Sequence, residues 1–183
     1  MTPAAPAAVA AAFSVAGVAL EPDASGALWH AAERVLIVAD LHFEKGSSYA
    51  ARRVFLPPYD TAATLARLAA CVARYRPAAV VALGDSFHDL RAFERIAPDD
   101  VAALRALGAG RDWIWIAGNH DPESRSDFGE AHAEWRLGPL AFRHRPHSGA
   151  ARGEIAGHLH PAARVASRAG ALRRRCFIAD ADR

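Results

Sequence analysis

Val35-Leu36-Ile37-Val38-Ala39 runs directly into Asp40-Leu41-His42. A continuous aliphatic run of this kind is expected of a strand buried on both faces, with Asp40 at its C-terminal end. The arrangement recurs twice. Ala78-Ala79-Val80-Val81-Ala82-Leu83 leads to Gly84-Asp85-Ser86-Phe87-His88-Asp89, and Trp113-Ile114-Trp115-Ile116-Ala117 leads to Gly118-Asn119-His120-Asp121. Helical patterns separate the three runs. Asp60 or Thr61 can cap a helix with Leu65, Leu68, Ala69 and Val72 on one face, ended by Pro77. Pro98-Asp99-Asp100 opens a second, with Val101, Leu104 and Leu107 on one face and glycines at its end. The order βαβαβ predicts an α/β fold in which a polar signature follows each strand, the place where open α/β sheets bind ligands.

Working outward, Phe13 to Leu20 and Ala27 to Ala31 flank a turn-rich cluster, Glu21 to Gly26, and read as a hairpin. Residues 1–12 read as a flexible Ala/Pro tail, and residues 13–183 as a single domain. After Asp121 the pattern changes to short strands over Leu137 to Phe142, Glu154 to Ala156, Arg164 to Ser167 and Arg174 to Ala179. These predict a second, mainly antiparallel sheet and hence an α/β sandwich.

The composition excludes several classes. A formal net charge of +2 sets no overall preference for a polyanion, although Lys45 is the only lysine and the positive charge is nearly all arginine. Cys71 and Cys176 form no CxxC pair, so neither a zinc ribbon nor a disulfide framework is indicated, and a reducing cytoplasm is the expected compartment. Met1 to Leu20 carries no charge but lacks the basic start and leucine-rich stretch of a signal peptide. No other segment is apolar enough to span a membrane.

The signatures share one chemistry. Asp40 and His42 are two apart, so a strand-like backbone points both to one side. A carboxylate with an imidazole suits Mn, Fe, Zn or Co. A carboxylate such as Asp85 can bridge two ions, whereas an imidazole cannot, and Asn119 adds a neutral oxygen. His144 and the pair His158 and His160, in Gly157-His158-Leu159-His160, complete the donors. One set is Asp40, His42, Asp85 and His160; the other is Asp85, Asn119, His144 and His158. Two divalent ions held this way lie roughly 3.5–4 Å apart and activate a water for in-line attack at phosphorus.

Taken together, Asp40-x-His42, Gly84-Asp85-x-x-His88-Asp89, Gly118-Asn119-His120-Asp121, His144 and Gly157-His158-x-His160 resemble the motif series of the calcineurin-like metallophosphoesterase superfamily, in order. The resemblance implies a four-layer sandwich of two mixed sheets flanked by helices, and the two ligand sets above. It also implies that His120 is the catalytic acid rather than a ligand, and that Asp89 orients it. A narrower resemblance rests on Glu44 to Ser48, Leu56 to Thr61, the second motif GDSFHD, His144-Arg145-Pro146 and the fifth motif GHLHP. It is to the ligase-associated DNA damage response endonuclease group, which implies manganese, a DNA substrate, and a DNA ligase and a helicase as partners. Arg145 stands where that group usually has an acidic residue. The chain ends at Arg183, shortly after Cys176-Phe177-Ile178-Ala179, where relatives continue, so a shortened second sheet is expected.

Residues outside this series take plainer readings. His30 and His132 read as structural or exposed, and His88 as a supporting residue. His147 competes with His144 for the fourth motif, and the Pro146 that follows His144-Arg145 favours His144. Trp113 and Trp115 read as sheet packing. Arg143 and Arg145 adjoin the expected metals and are candidate phosphate contacts; Arg173-Arg174-Arg175 reads as a solvated strand edge. The expected function is a dinuclear-metal phosphodiesterase or endonuclease in DNA repair. A small-molecule or cyclic-nucleotide phosphodiesterase, or a non-catalytic module of a repair complex, stays open. A protein phosphatase would carry Asp-Arg-Gly after the second motif, where Phe87-His88-Asp89-Leu90 stands.

Overall fold

Seven strands hydrogen-bond in chain order into one mixed sheet: β1 (Phe13–Val15), β2 (Val18–Pro22), β3 (Leu28–His30), β4 (Val35–Val38), β5 (Ala79–Ala82), β6 (Asp112–Ile116) and β7 (Glu130–His132). The computed structural model describes residues 12–57, 59–121, 128–149, 151–168 and 170–180. The expected tail over residues 1–12 therefore lies outside the described residues but for Ala12. Pairing is antiparallel from β1 to β4 and parallel from β4 to β7. The helices are α1 (Lys45–Ala51), α2 (Asp60–Tyr75), α3 (Ala92–Arg95) and α4 (Pro98–Gly108). A second sheet joins β8 (Glu134–Leu137), β9 (Leu140–Arg143) and β10 (Glu154–Ala156), and β11 (Ala162–Ser167) with β12 (Gly170–Arg175) forms a separate ribbon.

The continuous apolar runs are buried on both faces because each face has its own partner. Leu36, Val38, Val80, Ala82, Trp113 and Trp115 pack with Leu65, Leu68 and Val72 of α2 and Leu104 of α4. The alternating residues Val35, Ile37, Ala79, Val81, Ile114 and Ile116 pack with Leu140, Phe142 and Ile155 of the second sheet. The period-2 geometry of a strand makes this division automatic. No helical residue belongs to the second cluster. Helices thus cover one face of the large sheet and the second sheet covers the other, in keeping with the expected α/β sandwich.

Parallel register sets the level of the signatures. Val38 pairs with Ala82, and Ala82 with Trp115, so three strands end together. The main chain stays paired beyond the strands: Asp40 N–H donates to Gly84 O at 3.2 Å, His42 N–H to Asp85 O at 2.9 Å and Phe43 N–H to Ser86 O at 2.8 Å.

Several expected elements differ in detail. Phe13 to Leu20 is not one strand, because Ala16 and Gly17 both take positive φ (50° and 83°) and fold β1 onto β2. The expected strand Leu137 to Phe142 is likewise split at Gly138-Pro139, so that Leu137 faces Leu140 across a hairpin. The second sheet is mixed rather than mainly antiparallel, since β10 runs parallel to β9. The last expected strand, Arg174 to Ala179, stops at Arg175.

Helix α2 has Tyr59 at its N-cap position and no side-chain cap. The two residues expected to cap it face the preceding segment instead. Thr61 Oγ1 accepts from Glu44 N–H at 2.9 Å and donates to Glu44 Oε1 at 2.9 Å. Asp60 Oδ2 accepts from Gly46 N–H at 2.9 Å. Both Glu44 and Thr61 are buried. This lock fixes the entry to α1 directly after the first signature. Thr61→Val keeps the shape but leaves a buried carboxylate and N–H unpartnered. It should lower stability by roughly 1–3 kcal/mol in thermal or urea unfolding.

Candidate metal centre

Five of the candidate ligand residues sit in left-handed backbone: Asp40 (φ 51°), His42 (47°), Asp85 (47°), His158 (68°) and His160 (44°). That region costs a side-chain-bearing residue about 1–2 kcal/mol, and it persists only where surroundings over-determine it. Here it turns the chain at each strand end so that the side chains converge. Glycines complete the turns. A Cβ on Gly84 would stand 2.7 Å from the His144 ring, and one on Gly118 would stand 2.2 Å from Asp85 N.

Two donor groups result. Ligand atoms of Asp40, His42 and His160 lie within 4.8 Å of one another, and so do those of Asp85, His144 and His158. The groups abut. His144 Nε2 is 3.4 Å from Asp85 Oδ1, 3.1 Å from His158 Nδ1 and 2.9 Å from Asn119 Oδ1, which brings Asn119 to the second group. The backbone N–H of His158 points at the Asp40 carboxylate at 3.2 Å, tying the fifth signature to the first. His147, by contrast, donates its N–H to Glu154 and accepts from Gly149, and belongs to neither group.

The residues suit divalent ions. Each group offers one carboxylate and two imidazoles, the donor set of borderline metals. Burial drives the His42 pKa down to about 4 and lowers those of His88 and His158, so their rings are neutral near pH 7 with lone pairs available. Burial also raises the Asp40 carboxyl, an effect the neighbouring His160 opposes. Nδ1 of His42 is buried without a hydrogen-bond partner. The His42 ring centroid lies 5.3–5.4 Å from those of His88, His120 and His160, close packing that favours neutral imidazoles.

His120 stands at the mouth of this cluster. Its Nε2 is 3.9 Å from Asp85 Oδ2, and its Nδ1 is 2.8 Å from the carbonyl oxygen of His88. A carbonyl only accepts, so it assigns the Nδ1–H tautomer and leaves Nε2 on the side of Asp85. The His88 ring stacks on His120 at 5.2 Å.

Two sequence expectations are corrected here. Asp89 does not face His120. Both its oxygens accept from Arg95 at 2.8 Å, and Ser48 and the Arg91 N–H add hydrogen bonds, because α1 and α3 present those donors on its side. The orienting group for His120 is the main chain of His88. Arg143 is not open to substrate either. Its guanidinium is paired with Glu134 across the strand and lies 3.5 Å from Glu154. Arg145 is exposed, and its charge acts on His158.

Asp121, the last residue of the third signature, is buried between the loops that carry Asp85 and Asn119. Its Oδ1 accepts from Asp85 N–H (2.9 Å) and Gly118 N–H (3.1 Å), and its Oδ2 from Ser86 N–H (2.8 Å) and Phe87 N–H (3.1 Å). Burial pushes its carboxyl up to about 6, while the N–H donors pull it down. Only its position directly after His120 hinted at this.

Asp121→Asn replaces one acceptor with an amide that meets two N–H groups head-on. Unfolding should show a loss of roughly 2–4 kcal/mol. Isothermal titration of the metal-free variant should show weaker binding of Mn than the native chain, since the clamp positions Asp85.

Residues 33–167 match the family model described as calcineurin-like phosphoesterase. No curated protein sequence matches the chain significantly. Among solved structures, the crystal structure of nuclease MPE from Pseudomonas putida is similar with a TM-score of 0.69 and 30% identity, over 94% of this chain and 82% of that one. The chain belongs to the calcineurin-like phosphoesterase family and is a metal-dependent phosphoester hydrolase.

Proposed function

We propose that the chain is a two-metal phosphodiesterase that cleaves nucleic-acid phosphodiester bonds. The observation that carries this is the pair of abutting donor groups with the His120 imidazole beside Asp85. The likeness to a Pseudomonas putida nuclease supports the substrate class. Asp40, His42, Asp85 and His160 would hold one ion, and Asp85, Asn119, His144 and His158 the other, with Asp85 shared. When bound, two such ions supply Lewis acidity and an activated water for in-line displacement at phosphorus. Manganese is the proposed metal, with iron, zinc or cobalt compatible with the same donors.

The chain's own residues do the rest. His120, steered by the His88 carbonyl, presents Nε2 toward the substrate side, where a protonated ring gives its proton to the departing oxygen. Nδ1–H stays on the carbonyl throughout, so only Nε2 exchanges its proton. Arg145 places positive charge beside His158 for a substrate phosphate. A role in DNA repair, with a DNA ligase and a helicase as partners, and a cytoplasmic location follow from the sequence-level resemblance. No helix among the described residues is long and apolar enough to cross a membrane.

The test is hydrolysis of bis(p-nitrophenyl) phosphate, p-nitrophenyl phosphate and nicked or single-stranded DNA by Mn-loaded protein. Turnover of the diester and of DNA is expected. Good turnover of the monoester alone rejects the reading. Asp85→Asn should reduce diester turnover by about 100-fold or more and lower the bound metal; full activity would rule out a shared carboxylate. His120→Asn should reduce turnover of a poor leaving group by roughly 10²–10⁴-fold while metal content stays unchanged.

A further inference from the structure

The ribbon β11–β12 begins directly after His160-Pro161 and stands apart from both sheets. Its register places Ala162 opposite Arg175, Arg164 opposite Arg173 and Ala166 opposite Ala171, all on one face. That face therefore carries Arg164, Arg173 and Arg175 between small alanines. All three arginines are exposed, and none has an acidic partner among the described residues. Arg164 and Arg173 are a like-charged cross-strand pair, an arrangement that destabilises an isolated ribbon. Arg175, at the ribbon's root, lines a cleft of about 200 Å³ together with Asp40, His42, Lys45 and Arg67. The row of guanidiniums thus starts beside the candidate metal centre and leads away from it.

We propose that the arginine face of β11–β12 is a track for the phosphate backbone of the nucleic-acid strand whose bond lies at the metal centre. This rests on the nucleic-acid reading of the site and adds the residues that hold the strand. An elongated polyanion matches the geometry, because successive phosphates can neutralise charges that otherwise repel across the ribbon. Guanidiniums contact phosphate oxygens bidentately and without base preference. The alanines between them leave the backbone of the strand room to approach. The expected consequence is affinity that is strong at low salt and indifferent to sequence.

The experiment compares the native chain with the triple variant Arg164→Gln, Arg173→Gln and Arg175→Gln, and with its Lys counterpart. Binding of a fluorescein-labelled oligonucleotide is followed by anisotropy in EDTA at several salt concentrations. The Gln variant should bind about 10- to 100-fold more weakly at low salt, with the slope of log K against log salt reduced by about 2. The Lys variant should recover the slope. Hydrolysis of bis(p-nitrophenyl) phosphate should be unchanged in the double variant Arg164→Gln, Arg173→Gln, which leaves Arg175 beside Asp40 and His42 in place. The Gln variant should melt no lower than the native chain, since a repulsive pair is removed. An unchanged slope overturns the proposal and leaves the ribbon to a protein partner or a second copy. If the Gln variant unfolds, Arg173→Gln alone is measured; an unchanged slope there also overturns the track, and a drop of about 0.7 supports it. A native chain that hydrolyses the aryl diester but binds no oligonucleotide overturns the nucleic-acid reading itself, which is a separable result.

Discussion

One carboxylate holds the centre together. Asp121 accepts four backbone N–H groups from two different loops, those following β5 and β6. Each loop leaves its strand at a sharp turn and so exposes main-chain donors that no strand or helix can satisfy. Buried donors left alone cost more than most single contacts contribute. A single anion placed between the loops satisfies both sets and fixes their separation. Asp85, Asn119 and His120 all sit on those two loops, so the spacing of the candidate ligands follows from this clamp. Gly118 is required beneath it, because a Cβ there would stand 2.4 Å from the Asp121 carboxylate.

The same logic explains the left-handed ligand residues. A regular strand would carry Asp40 and His42 to the same side but onward, away from the second signature. The positive φ at both folds the chain back so that His42 and Phe43 bond to the carbonyls of Asp85 and Ser86. The Glu44–Thr61 lock closes the other end of that segment. Strain at the donors is thus offset by main-chain bonds on one side and a buried side-chain pair on the other. Donor side chains fixed before any ion arrives lose little entropy on binding.

Much of this was legible in the sequence. Buried parallel strands must be apolar on both faces, so Val35 to Ala39, Ala78 to Leu83 and Trp113 to Ala117 announced themselves without any knowledge of their partners. The candidate ligands were legible because their residue types have few other uses at strand ends. What stayed hidden was pairwise. Nothing in Asp89 distinguishes a carboxylate that faces His120 from one that faces Arg95; the difference lies in α1 and α3, elements of seven and four residues whose short patterns carry little signal. Arg143 is similar. Its partners Glu134 and Glu154 come from neighbouring strands, and register cannot be read from a single strand. The split at Gly138-Pro139 was visible as residue types, yet the flanking apolar residues read equally well as one strand.

Net charge hides the feature that separates these arginines. Arg74, Arg91, Arg95, Arg136 and Arg143 each meet a carboxylate, on Asp23, Glu94, Asp89 and, for the last two, Glu134. These pairs join residues outside β11 and β12. An arginine-rich composition alone would distribute unpaired charge at random over the surface. Instead, on β11–β12, three guanidiniums with no acidic partner among the described residues share one face, and two of them face each other. Isolated, that arrangement raises the energy of the ribbon; beside a row of phosphates the same charges become attractive, and the sign of the interaction depends on what lies against it. A charge of +2 on the whole chain is therefore compatible with a local cluster of positive charge, because net charge sums over the surface and a polyanion meets one face of it.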